Sequence, residues 1–191
     1  MAQNNINSKK GFTIIEVVLV LAVAGLIFMM VFLSYPALRR SQNDTQRRDQ
    51  LAALVTQITQ YQANNRNRLP DYTMDSTVNV EPNDDGQIDS TVNNGWANFY
   101  RNYLLAGGDI FEDPNGVPYK LEVITCQVTS QTNGTECQTQ RMNSTFEDQD
   151  YKVLITYHST CDGEKIIYNT GARKLSVAYK LEGGGTFCQA N

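Results

Sequence analysis

The chain has little with which to do acid–base or metal chemistry. It contains one histidine, His158, among 191 residues. No Ser-His-Asp set, no Cys-His pair in a fitting context and no phosphate-cradling glycine loop can be assembled from it. No Cys-x-x-Cys occurs, so a zinc site lacks its usual ligand spacing. Basic residues are in deficit, 16 against 20 acidic, for a formal net charge of −4. An acidic chain has no global attraction for the phosphate backbone of nucleic acid, and no direct nucleic-acid site is evident. No internal repeat of solenoid length is visible. The expectation is a protein that is not an enzyme and needs no cofactor, apart from one calcium candidate described below.

What the chain does have is an apolar stretch. Phe12 to Tyr35 is almost wholly hydrophobic over 24 residues. As a helix at 1.5 Å per residue it is about 36 Å long, enough for a hydrocarbon core of about 30 Å. Glu16 interrupts it. A lone carboxylate at the bilayer centre costs on the order of 2.5–3.5 kcal/mol, so Glu16 is expected to have a partner. Lys9 and Lys10 precede the run and hold that end in the cytoplasm. A cleaved secretory signal fits less well. The run leads into Pro36, Ala37, Leu38, Arg39 and Arg40 without an Ala-x-Ala site, and Ala22-Val23-Ala24 lies inside it.

Lys9-Lys10-Gly11-Phe12-Thr13-Ile14-Ile15-Glu16, followed by the apolar run, closely resembles the class III leader of type IV prepilins and pseudopilins. The resemblance covers about the first 60 residues well. It implies a cut after Gly11 by a membrane prepilin peptidase and methylation of the new N-terminal Phe12. It implies assembly into a filament through the helix, with the Phe12 ammonium of one subunit meeting Glu16 of a neighbour. Such a pair is worth more for register than for stability. The implied partners are identical or related pilin subunits, the peptidase, the pilus assembly platform, and the membrane before assembly. The implied location is the cytoplasmic membrane for the precursor and the surface filament afterwards.

On this reading residues 1–11 are a cleaved leader and 12–36 the transmembrane and assembly helix. Residues 37–68 are the amphipathic half of the same helix, and 69–191 form the globular head. The fold expected is α+β, the long helix packed on a C-terminal antiparallel β-sheet as in pilins. Pro36 is expected to kink the helix without ending it. Leu51, Leu54, Val55, Ile58 and Tyr61 recur at helical spacing and give the face that packs on the sheet. Asn64, Asn65, Asn67 and Pro70 end the helix. Arg39, Arg40, Arg47 and Arg48 are available to lipid head groups before assembly or to acidic groups of other subunits; the plain alternative is a solvated face.

Residues 70–95 read as loop. Within them Glu81 to Asp89 follows the calcium-loop pattern at its third, fifth and ninth positions, with Gly86 at the sixth. Asn83, Asp85 and Asp89 are the candidate Ca2+ ligands, with a carbonyl at Gln87. Glu81 stands where the first Asp belongs and Val92 where a bidentate acid belongs. Residues 94–105 read as a short helix whose aromatics are core, ended by Gly107-Gly108. Asp113-Pro114-Asn115-Gly116-Val117-Pro118-Tyr119 resembles a turn of secretion pseudopilins and some pilins, in a region that binds calcium in some of them. Glu112 and Asp113 read as solvated. Strands are expected over 119–128, 151–158, 165–169 and 174–181, with hairpin turns at Asp162-Gly163-Glu164 and Thr170-Gly171, and a last short strand up to Cys188.

Four cysteines, Cys126, Cys137, Cys161 and Cys188, all follow the apolar run and read as disulfides of an exported domain. Cys126–Cys137 closes a polar stretch with a turn at Asn133-Gly134. Cys161–Cys188 resembles the C-terminal disulfide loop of many pilins. Spacing alone leaves open the crossed pairing, Cys126–Cys161 with Cys137–Cys188. Secretion pseudopilins usually lack a C-terminal disulfide, so the cysteines favour a pilin, serving adhesion, twitching motility or DNA uptake. A pseudopilin of a type II secretion system is the alternative, and a monomeric anchored binding module a more distant one.

Overall fold

A computed structural model describes residues 11–70, 77–108, 110–138 and 151–191. The first element is a single helix, α1, from Ile14 to Asn64, with Pro36 inside it. The chain divides after Ser41 into two compact units. In the first, the apolar side chains have no core to enter: Phe12, Ile14, Phe32 and Leu33 are all at least 75% exposed. A helix apolar on every side is stable only in a medium or a partner that supplies the missing contacts.

The second unit begins at Gln42. Its part of α1 buries Asp44, Arg47, Leu51, Leu54, Val55, Ile58 and Gln62. Steps of three and four residues keep these on one stripe, polar at its ends and apolar in the middle. Beyond Asn64 the Asn67 amide donates to the Gln62 carbonyl at 2.7 Å, with Arg66 and Asn67 both in the left-handed region. That conformation ends the helix and satisfies a terminal carbonyl.

The strands are β1 (Val78–Val80), β2 (Lys120–Thr125), β3 (Lys152–Tyr157), β4 (Ser159–Asp162), β5 (Lys165–Tyr168), β6 (Leu175–Lys180) and β7 (Thr186–Ala190). A five-stranded sheet runs β1-β2-β3-β6-β7, and β4 and β5 form a separate hairpin. The architecture is α+β, with the part of the long N-terminal helix beyond Gln42 packed against a sheet that is antiparallel at every pair except one. β2 and β3 run parallel, in register from Lys120↔Lys152 to Thr125↔Tyr157. Parallel neighbours need a crossover of a dozen residues or more, and residues 126–151 are long enough to provide it. The expected α+β fold with an antiparallel sheet is present, and this pair is the one parallel exception among the described strands.

Two expectations change. Thr170-Gly171 is not a hairpin turn, because β5 pairs with β4 whereas β6 pairs with β3 and β7. The segment carries the chain from one sheet back to the other. The loop over 70–95 contains β1, which pairs with β2 through Val78↔Val123 and Val80↔Leu121. The aromatic stretch forms α2 (Gly95–Phe99), capped by the Asn94 side chain on the Ala97 amide, and continues as a π-helical turn from Tyr100 to Leu104. His158, the lone histidine, has φ 53° and forms the corner between β3 and β4.

One sheet face carries Val80, Leu121, Val123, Val153, Ile155, Tyr157, Leu175, Val177 and Tyr179 into a core with Leu51, Leu54, Ile58, Trp96, Phe99 and Tyr100. Every second residue of each strand points this way, as the pleat requires. The other face holds Leu154 and Ala178 against Ile166, Cys126 and Cys137. The disulfides are Cys126–Cys137 and Cys161–Cys188. The first closes the loop after β2, whose residues 134–137 bond along β5. The second joins the β4–β5 hairpin to β7.

Candidate functional site

The start of α1 is built by a reciprocal cap. Thr13 precedes the first helical residue, and Glu16 lies three residues on. Glu16 Oε2 accepts from the Thr13 backbone N–H at 3.0 Å and from the Thr13 hydroxyl at 2.8 Å. The Glu16 backbone N–H donates to Thr13 Oγ1 at 3.4 Å. This is a capping box, in which Thr and Glu satisfy each other's free donors at a helix N-terminus. A carboxylate there also complements the helix dipole. Glu16, expected to pair with another subunit, also has a partner in its own chain. The signal for the Thr13 cap, Thr-x-x-Glu ahead of an apolar run, stands in the sequence. Phe12 is exposed and the space beside Gly11 is open. Lys9 and Lys10 lie outside the described residues.

In the second unit a cluster of charge joins α1 to the head. Arg47 Nε donates to Asp113 Oδ2 at 2.6 Å and Nη2 to Asp113 Oδ1 at 3.1 Å, a two-pronged contact between buried groups. Arg47 Nη1 reaches Asp44 Oδ1 at 3.1 Å and Glu182 Oε2 at 3.2 Å. Asp44 in turn accepts the backbone N–H groups of Glu182 and Gly183, each at 2.8 Å. A Cβ on Gly183 would lie 2.8 Å from Asp44 Oδ2, so the turn between β6 and β7 needs glycine to approach this closely. Tyr119 donates to Asp113 at 3.4 Å and the Tyr179 ring lies under the guanidinium. Burial disfavours the charged guanidinium, but the Asp113 hydrogen bonds and charge outweigh it, so Arg47 is held more firmly protonated than usual. Burial first, then the Asp113 charge, pushes the Tyr119 and Tyr179 phenols up.

This cluster corrects two readings. Arg47 does not belong to a basic run open to lipid or to other subunits, because it is buried and paired within its own head. Asp113 is not a solvated acid, because its side chain is fully enclosed. The tight turn around it, with the Asp113 N–H on the Val117 carbonyl at 2.8 Å and the Asn115 N–H on Asp113 Oδ1 at 3.0 Å, aims the carboxylate inward. A helical (i, i+3) Asp-Arg pair at 44 and 47 was the only sign of this in the sequence.

Two of the three calcium candidates, Asn83 and Asp89, are engaged in local structure. Asn83 Oδ1 accepts the Gln87 amide at 2.7 Å, and the Asn83 amide donates to the Gln87 carbonyl at 2.8 Å. Asp89 Oδ1 accepts from the Thr91 amide at 2.8 Å and hydroxyl at 2.9 Å, which, with Arg101 nearby, holds its carboxyl below the usual range. Arg101 also takes the Asp89 and Val92 carbonyls. Asp85 is exposed on the same turn. Among the described residues no group of three or more His, Cys, Asp or Glu side chains is placed to hold a metal.

The chain thus combines an exposed apolar helix, begun by a Thr-Glu cap, with a disulfide-bonded α+β head. Residues 6–32 match the family model of the prokaryotic N-terminal methylation motif. The chain thus carries the class III leader signal of type IV pilins and pseudopilins. No curated protein and no solved structure matches the chain.

Proposed function

We propose that the chain is a structural subunit of a type IV pilus filament, polymerising through its N-terminal helix. The observation that carries this reading is the methylation motif over residues 6–32 at the head of an apolar helix with Glu16 in its first turn. A cut after Gly11 turns Phe12 into an ammonium four residues from that carboxylate. In a filament of side-by-side helices the ammonium meets Glu16 of a neighbour, and the Thr13 hydroxyl continues to orient the acid. The exposed apolar side chains of 12–35 pack against neighbouring helices in the filament. Before assembly the same helix holds the precursor in the cytoplasmic membrane.

The second reading is a type II secretion pseudopilin, which shares leader and assembly. The Cys161–Cys188 bridge near the C-terminus supports the pilin. Electron microscopy of filaments sheared from cells, with mass spectrometry of their subunits, tests the choice. Long surface filaments containing this chain support the pilus. Its confinement to cell envelopes, with secretion lost on deletion, supports the pseudopilin.

A further inference from the structure

The apolar part of α1 gives way to an exposed pair of an aromatic ring and a cation. The Arg39 guanidinium carbon lies 5.4 Å from the centroid of the Tyr35 ring, one helical turn earlier. Both residues are exposed, and Arg40 adds a second positive charge beside them. From Phe12 to Arg39 the chain rises about 40 Å as a helix, close to the bilayer thickness of about 40–45 Å with both head-group regions included. With Phe12 at the cytoplasmic interface, Tyr35 and Arg39 fall at the opposite one. Tyrosine favours that depth, and a guanidinium stacked on a ring still presents its planar N–H edge to a phosphate.

We propose that Arg39, oriented by the Tyr35 ring, binds the phosphate of an anionic phospholipid in the outer leaflet of the cytoplasmic membrane and so sets the depth of the unassembled helix. Charge complementarity selects this occupant, since a zwitterionic lipid offers the same phosphate without net charge. The inference rests on the membrane-anchored state of the proposed function.

The test uses the full-length chain in phosphatidylcholine vesicles, with traces of spin-labelled phosphatidylglycerol or spin-labelled phosphatidylcholine. The motionally restricted fraction of each label gives the preference for the anionic lipid at the protein surface. Arg39→Gln is expected to lower that preference about fivefold, the equivalent of about 1 kcal/mol for one arginine at an anionic surface. Arg39→Lys keeps most of it. Arg68→Gln, the same loss of charge at an exposed position on the head, leaves it unchanged. Lys9 and Lys10 are present throughout and cancel in the comparison. An Arg39→Gln protein with undiminished preference overturns the proposal, as does an equal loss in Arg68→Gln. No restricted lipid with any variant means the chain is not inserted, and then the anchored state fails as well.

Discussion

At the scale of single residues, two carboxylates decide most. Glu16 is a helix cap within its chain and, in the proposed filament, a counter-ion for its neighbour. Glu16→Leu removes both roles but leaves an apolar helix that still enters a membrane. The expected outcome is a folded head, an inserted precursor and few or no filaments, scored by shearing and immunoblotting; normal filament yield contradicts the pairing. Asp113 is the other. Removing one partner of a buried ion pair strands the second charge, at a cost of about 3–5 kcal/mol. Asp113→Ala is therefore expected to lower the melting temperature of the head on the order of 10 °C by circular dichroism, because Asp44 and Glu182 compensate Arg47 only in part. A loss of only a degree or two shows that the cluster is solvated.

At the scale of elements, the head is held by bridges and by a layer of buried phenols. In the chain-entropy model Cys126–Cys137 and Cys161–Cys188 contribute roughly 3 and 3.5 kcal/mol, a large share of the 5–15 kcal/mol typical of a domain. Replacing Cys161 and Cys188 together by serine is expected to lower the urea midpoint and to free the β4–β5 hairpin from β7, seen as faster amide exchange over 159–168. Exchange unchanged in that hairpin shows that its packing on Leu154 and Ala178 suffices. Burial raises the Tyr100, Tyr119 and Tyr179 phenols above their ordinary value of 10.0 in the folded state. Their contribution to stability is therefore intact below pH 10 and is lost as pH rises through the folded values. A spectrophotometric alkaline titration is expected to show these three ionising only together with loss of the fold. Smooth ionisation of all tyrosines near pH 10 with the fold intact counts against the packed layer.

At the scale of the whole molecule, the proposed function sets an order of events: insertion, cutting, assembly. The mature chain is expected to begin at Phe12, N-methylated, in sequencing or mass spectrometry of surface protein. Met1 or Ala2 at that terminus rules out processing at Gly11. The long helix, the apolar stripe of Leu51, Leu54, Val55 and Ile58, and most strand positions were legible in the sequence. Each depends on a local period or a run that neighbours along the chain repeat. The helix start was legible too, in Thr13 and Glu16, three residues apart. What the tertiary structure alone decided is which distant groups meet. That β2 runs parallel to β3 is settled by their tertiary pairing, which no alternation of side chains encodes. Spacing left the cysteine pairing open, and the placement of the β4–β5 hairpin beside β7 brings Cys161 to Cys188. Arg47 and Asp113 look like solvent-facing charges in the linear chain, because each lies in a polar stretch. Only the packing of α1 on the sheet, with the Gly183 turn closing over Asp44, removes them from water and makes each the other's partner.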